Sequence, residues 1–266
     1  MQALARSLSV FWNSPRWVSF IANAVTALGL LVLMACAAWW LSERPIFRIK
    51  EVRVTATPGF ELKHVALGPL QQQLKGYLQS EHSASFFRLS LDKVRELSET
   101  VSWVRHARVR RIWPNHLEIS VEEHEALALW DDGRIVNTFG ELFSANLDEA
   151  EEDGALPEFS GPLGSERLVV SRYAELRRLL IPLNVQPIGL TLSSRQAWEA
   201  QLNDGSKLLM GREQGLPIDE RVKRWVSAYP EAKAKLNGRA ELIDLRYPNG
   251  FALGELTNVS ESRTTQ

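Results

Sequence analysis

Residues 90–122 read SLDKVRELSETVSWVRHARVRRIWPNHLEISVE. Within this run a helical period gives way to a strand period, and the change decides the fold around it. Leu91, Val94, Leu97 and Val101 recur every three or four residues and make one apolar stripe, with Ser90 placed to cap the helix. From Val101 onward Trp103, Ala107 and Val109 alternate with polar residues. After Pro114-Asn115, Leu117, Ile119 and Val121 alternate strictly with Glu118, Ser120 and Glu122. The run therefore reads as a helix followed by a hairpin.

Upstream, Arg48 to Thr55 carries Ile49, Val52 and Val54 in imperfect alternation, a half-buried strand entered after Pro45. Thr57-Pro58-Gly59 turns the chain. Val65, Leu67, Leu70, Leu74 and Tyr77 have helical spacing, and Gly68-Pro69 interrupts it, so the helix is expected from about Pro69. Strand, two helices and a hairpin make a small α+β unit with helices on one face of the sheet.

Still further upstream, WVSFIANAVTALGLLVLMACAAWWL (17–41) holds no charge. Trp17 and Trp39 are about 33 Å apart along a helix, which matches a hydrocarbon core of roughly 30 Å. Tryptophans at both ends suit the headgroup layer. One transmembrane helix over 17–41 is expected, preceded by a stub of residues 1–16. Ala35-Cys36-Ala37 resembles a cleavage site and Leu33 to Cys36 a lipoprotein box, but the apolar run is much longer than a signal peptide's. Arg6 and Arg16 on one side face Arg44, Arg48, Lys50 and Arg53 on the other, so charge counting leaves orientation open.

Downstream of the hairpin the pattern is mixed and strand-rich. Strands are expected at Ala126–Trp130 and Arg134–Val136 around Asp131-Asp132-Gly133, with Leu142-Phe143 continuing the meander. The acidic run DEAEED (148–153) reads as a solvated loop. Ser165 to Ile181 is expected to be helical, with Leu168, Val169, Leu176, Leu179 and Leu180 apolar, stopped by Pro182. Strands follow at Ile188–Leu192, Ala197–Leu202 and Lys207–Met210, then a helix over Ile218–Ala228. Glu241–Tyr247 and Phe251–Leu253 flank the turn Pro248-Asn249-Gly250, and TNVSESRTTQ (257–266) lacks core-forming residues and reads as a disordered tail.

The chain has 266 residues and a net charge of −1, which conceals an acidic block over 122–160 and basic segments on either side. A single cysteine, Cys36, rules out an internal disulfide. No phosphate-binding, dinucleotide, zinc-protease or esterase string occurs. His116, Glu122, Glu123, His124 and Glu125 mix metal ligands with acid–base groups, yet a strand sends alternate residues to opposite faces and scatters them. The same parity separates Arg108 and Arg110 from Arg105 and Arg111, which argues against a nucleic-acid surface.

Function then falls to interaction. In Glu241–Tyr247, Ile243, Leu245 and Tyr247 share one face, Leu242, Asp244 and Arg246 the other. An edge position near the chain's end would accept a partner strand through main-chain hydrogen bonds, with Arg246 and Tyr247 supplying specificity; an ordinary packed strand is the alternative.

FRIKEVRVT and SFFRLSLDKVRELSETVSWVRHARVRRIWPNHLEISVEEHEALALWDDG resemble the POTRA domain of the FtsQ/DivIB family of bacterial cell-division proteins, and ELIDLRYPNGFALG resembles its D-L-R-Y signature. The resemblance implies a bitopic, non-enzymatic divisome scaffold without cofactors. The POTRA domain (46–121) would have the order β-α-α-β-β, and a mixed, β-rich domain would span 122–256. The N-terminus would be cytoplasmic and the C-terminal domains periplasmic, at the division septum of the inner membrane. The implied partners are FtsB and FtsL, docked on Arg246, Tyr247, Asn249, Gly250 and Phe251, with Arg195 and Trp198 of an R-x-x-W element nearby. FtsK, FtsW, FtsI and FtsN are further implied contacts, and Ile49, Val52 and Val54 of the first strand are candidate recruitment residues. Gly254 to Leu256 read G-E-L, where some relatives carry an aromatic. Two other readings stand beside it: a barrel-less POTRA chaperone of envelope protein export, and a wall hydrolase using the Glu122 to Glu125 cluster.

Overall fold

The computed structural model describes residues 15–42, 44–65, 67–78, 85–235 and 240–254. Residues 1–14 of the expected stub and the expected tail 257–266 lie outside the described residues. The chain packs as two compact units. The first comprises Met1–Glu61, Ala66–Val101 and His106–Glu122, and the second comprises Leu62–Val65, Ser102–Arg105 and Glu123–Gln266.

In the first unit, helix α1 (Pro15–Ser42) leaves Phe20, Leu28, Leu31, Leu33, Met34 and both Trp39 and Trp40 exposed. A helix apolar on every side, with all its backbone bonds internal, matches a bilayer rather than water. Strand β1 (Glu51–Ala56), helices α2 (Leu67–Leu78) and α3 (Leu91–Glu99), and strands β2 (Val104–Ile112) and β3 (His116–Glu123) follow in the expected β-α-α-β-β order. The sheet order is β1-β3-β2, with β1 parallel to β3 in the register Val52↔Leu117 and Val54↔Ile119. Leu70 and Leu74 of α2, Val94 of α3, and Leu117, Ile119 and Val121 of β3 are buried. Ser90 accepts the Lys93 N–H at 3.3 Å and caps α3 as expected.

Boundaries differ from the sequence reading: α1 extends two residues earlier and one later than expected, and β1 begins at Glu51 rather than Arg48. Helix α2 begins at Leu67, because Pro69 falls in the first turn, where its missing N–H has no helical partner to lose. Strand β2 begins at Val104, because Trp103 has φ 72° and breaks the alternation, so that both Trp103 and Val104 are buried.

The second unit is built on an open nine-stranded sheet. Its strands in chain order are β4 (Ala126–Trp130), β5 (Ile135–Asn137), β6 (Leu142–Phe143), β7 (Glu158–Ser160), β8 (Pro187–Leu192), β9 (Ala197–Leu202), β10 (Lys207–Arg212), β11 (Leu242–Asp244) and β12 (Ala252–Gly254). Their spatial order is β12-β11-β10-β9-β8-β7-β4-β5-β6. A short helix α4 (Leu147–Ala150) precedes β7, and helices α5 (Glu166–Leu180) and α6 (Ile218–Lys235) share the core with the sheet. Val169, Tyr173, Leu176 and Leu180 of α5 and Val222, Trp225 and Tyr229 of α6 meet Trp130, Phe159, Leu190, Trp198 and Met210 in one cluster.

Several details correct the sequence reading. Leu168 is exposed, and Val170 and Tyr173 take its place in the apolar stripe. Helix α6 continues through Pro230 to Lys235 instead of ending at Ala228. The acidic run starts as helix rather than loop: Asn146 accepts the Asp148 N–H at 3.1 Å, and acids in a first turn suit the helix dipole. The run is mostly exposed as expected, and from the surface Glu149 accepts the Trp103 indole N–H at 2.8 Å and Asp153 pairs with Lys63 at 3.1 Å.

Arg221 of α6 is buried and donates from Nη1 to the Met210 carbonyl and from Nη2 to the Arg212 carbonyl. Burial lowers its pKa from the ordinary arginine value. This guanidinium ties α6 to the end of β10. Arg221→Met would leave two carbonyls without their charged donor and lower stability by about 2–3 kcal/mol, read as a reduced midpoint in urea denaturation.

Candidate functional site

The C-terminal end of the large sheet is assembled from three short segments. β11 runs parallel to β10 with Lys207↔Leu242, Leu208↔Ile243 and Leu209↔Asp244 in register. β12 returns antiparallel, with Ile243↔Leu253 and Asp244↔Ala252. β12 is therefore the edge strand, and β11, which the sequence placed at the edge, lies one strand inside. The strand expected over Glu241–Tyr247 ends at Asp244, and its alternation ends there too. Ile243, Asp244 and Leu245 are all buried, whereas Arg246 and Tyr247 are exposed.

The break in alternation has a local cause. Asp244 Oδ1 accepts the Arg246 backbone N–H at 3.0 Å, an aspartate side chain turning its own main chain two residues on. The same carboxylate accepts Arg246 Nε at 2.9 Å and Nη2 at 2.6 Å, a two-pronged ion pair. Arg246 thus holds the Asp244 carboxyl below the ordinary carboxylate range, and Asp244 raises the Arg246 pKa in return. The arginine stem lies on Gly211 of β10, which has φ 72°; a Cβ there would stand 2.8 Å from Arg246 Cγ. Arg224 of α6 donates to the Pro248 carbonyl at 2.7 Å and holds the turn that follows. Beside this fixed arginine the Tyr247 side chain is 53% exposed, Asn249 is exposed, and Phe251 packs partly against the core.

Arg195 and Trp198 separate. Arg195 is exposed in the β8–β9 turn, at the sheet end where Ala197 pairs with Arg212 and Leu245 N–H donates to the Leu209 carbonyl. Trp198 sits opposite Gly211, is only 3% exposed, and lies under the Arg172 guanidinium at 5.4 Å. Trp198, expected as a contact residue, is buried, and its ring packs in the core cluster. Asp244 was missing from the expected contact set. Its shared parity with Arg246 in the sequence was the available signal.

In the first unit Ile49, Val52 and Val54 are half-buried on the edge strand β1 or just before it. The acid–base cluster disperses. Glu123 accepts the backbone N–H groups of Lys63 at 2.9 Å, His64 at 2.8 Å and Val65 at 3.3 Å. His124 stacks on Phe143 with centroids 4.1 Å apart, and His116 pairs with Glu51 at 3.0 Å. Among the described residues no group of three or more histidine, cysteine or acidic side chains could hold a metal.

An apolar single-span helix, a three-stranded α+β unit and an open sheet with an exposed edge strand beside the Asp244–Arg246 pair define a membrane-anchored interaction protein. Residues 70–124 match the family described as "POTRA domain, FtsQ-type", and residues 128–246 match "Cell division protein FtsQ/DivIB, C-terminal". The chain is 40% identical over 255 residues to the cell division protein FtsQ of Bordetella pertussis, covering 91% of this chain and 92% of that one. It is 38% identical to FtsQ of Burkholderia pseudomallei, with 91% and 93% covered, and 35% identical to FtsQ of Nitrosospira multiformis, with 91% and 98% covered. The chain belongs to the FtsQ/DivIB family. Membership makes it a non-enzymatic, single-pass inner-membrane scaffold of the cell-division machinery.

The geometry has two testable consequences. Gly211→Ala combines a strained backbone with a clash against Arg246 and should lower stability by about 1–3 kcal/mol in urea denaturation while releasing the arginine. Because the folded Asp244 pKa lies below its ordinary 3.8, the clamp's stabilisation is present above that value and is lost as pH falls through the folded pKa. The side-chain carboxyl carbon of Asp244 should accordingly titrate below 3.8 in NMR, and Arg246→Gln should move its midpoint upward.

Proposed function

We propose that the protein links early and late division proteins at the septum by docking the FtsB–FtsL pair on the C-terminal edge of its large sheet. The observation that carries this reading is an exposed edge strand, β12, beside an arginine already held in place by Asp244 and an exposed Tyr247. A strand of the partner adds to β12 through main-chain hydrogen bonds, which give affinity without depending on sequence. Arg246 then offers its outer face to a partner carboxylate, and the amphipathic Tyr247 ring offers contact area with few torsions to freeze. Fixing Arg246 before binding reduces the ordering cost of association. Asn249, Gly250 and Phe251 shape the approach to β12, and Arg195 extends the basic surface at the same sheet end.

The N-terminus lies in the cytoplasm and both folded units in the periplasm under this reading. The free edge of β1, with Ile49, Val52 and Val54 along it, is the recruitment surface, and FtsK is its first candidate; FtsW, FtsI and FtsN join the wider assembly.

Calorimetry of the full chain in nanodiscs against a purified periplasmic FtsB–FtsL complex tests the docking site. Arg246→Glu should abolish measurable binding, and Tyr247→Ala should weaken it about tenfold to a hundredfold, the range for one interface hot spot. Tyr247→Ala should keep the thermal unfolding of the parent, because its ring is exposed, whereas Arg246→Glu removes the Asp244 clamp and should lower the unfolding midpoint, so binding is compared at a temperature where both variants remain folded. Undiminished binding by Arg246→Glu would overturn the edge-docking reading.

A further inference from the structure

We propose that the end of the first unit where the chain leaves the membrane helix docks onto the anionic headgroup layer of the bilayer that holds α1. Three segments meet there. The Phe86 N–H donates to the Phe47 carbonyl at 2.8 Å, and Arg48 forms an antiparallel bridge with Ser85. Arg111 Nη2 donates to the Leu89 carbonyl at 2.6 Å, and the Lys50 N–H donates to the Asn115 carbonyl at 3.0 Å. Residues 44–50, 85–89 and 110–115 therefore share one end of the β1-β3-β2 sheet.

This end is aromatic and basic at once. Trp113 is 72% exposed, Ile46 56% and Phe87 55%, and the Phe87 ring rests against Phe47 with centroids 5.2 Å apart. Nothing in the core requires such large apolar groups outside, and contiguous exposed apolar surface marks an interaction site. The three segments contain Arg44, Arg48, Lys50, Arg88, Arg110 and Arg111 and no acidic residue. Arg110 is engaged with Glu118, and Arg44 lies over the Trp40 ring at 3.4 Å. Arg48 and Lys50 are exposed and form no ion pair among the described residues.

Connectivity selects the occupant. Phe47 follows the last residue of α1 by five positions, at most about 18 Å of chain. The path is shorter still, because the Arg44 N–H donates to Leu41 and the Phe47 N–H to Arg44, two successive turns. Phe47 is thus tethered within about 18 Å of the end of α1, whereas any soluble partner must find the patch by diffusion. Exposed tryptophan and phenylalanine beside arginine and lysine are the side chains that partition into that layer, and anionic lipid attracts the charges. The consequence for the family's function is orientational: docking limits how the first unit tilts over its anchor.

The test uses the full chain labelled with fluorotryptophan in phosphatidylglycerol-containing nanodiscs doped with a nitroxide-headgroup lipid. Nine tryptophans give nine fluorine signals, and Trp113 is assigned by its disappearance in Trp113→Phe. The expected result is loss of the Trp113 signal by paramagnetic broadening, together with those of Trp39 and Trp40. Arg48→Glu/Lys50→Glu and raised salt should each restore it, while an unchanged far-ultraviolet circular dichroism spectrum and thermal midpoint of the variant report an intact fold. A sharp Trp113 signal beside broadened Trp39 and Trp40 would overturn the docking while leaving the anchor in place. Equal broadening in purely zwitterionic nanodiscs would overturn the anionic preference. A Trp113 signal that changes only when FtsB–FtsL is added would overturn the lipid assignment in favour of a protein surface. Absence of broadening at Trp39 and Trp40 would overturn the membrane placement of α1, on which the proposal rests.

Discussion

The buried guanidinium of Arg221 is the contact on which the C-terminal edge depends. From α6 it donates to the carbonyls of Met210 and Arg212, on either side of Gly211. With β10 held at that point, Gly211 takes a positive φ that leaves room for the Arg246 stem, and Arg246 closes on Asp244. Leu245 N–H bonds Leu209, and β12 returns alongside β11. Strands of three residues are weak by themselves, so β11 and β12 keep their place through this chain of contacts with a helix that is itself anchored by Trp225 and Val222. Burying a charge is costly unless its donors are used, and Arg221 spends two of its groups on carbonyls.

The titratable groups fall into two kinds. Those that resemble catalytic machinery in the sequence are occupied with structure: Glu123 gathers three backbone N–H groups, and His124 stacks on Phe143 and meets Asn137 Nδ2 at 2.9 Å. At the C-terminal end of the large sheet, pairing preserves outward reach, as Asp244 does for Arg246. A protein whose work is association needs side chains fixed before the partner arrives, since every rotamer frozen at docking weakens binding. The sheet is open, and closing it into a barrel would remove β12 as an edge.

How much was legible in the sequence follows from the range of the interactions involved. Ser90 and the stripe Leu91–Leu97, the strict alternation of β3, and the turn at Asp131–Gly133 all depend on neighbours a few residues apart, and they stand where the sequence places them. The exceptions were positions where a distant partner intervenes. Trp103 leaves the strand pattern to donate to Glu149, 46 residues on. Leu168 yields its place in the core to Val170 and Tyr173, because the rotation of α5 is set by the sheet beneath it.

By itself the sequence determined the apolar membrane helix, the β-α-α-β-β order, the strand-rich second unit and the family, since composition, period and motif are properties of contiguous residues. Only the tertiary structure decided that β12 rather than β11 is the edge, that Trp198 is buried while Arg195 stays at the surface, and that Asp244 locks Arg246. Strand order depends on pairing across long separations: β10 takes β11 parallel across α6, and β7 enters between β8 and β4 from a connection through α4. A period of two says which residues share a face, and says nothing of which strand lies next to it or which face is covered.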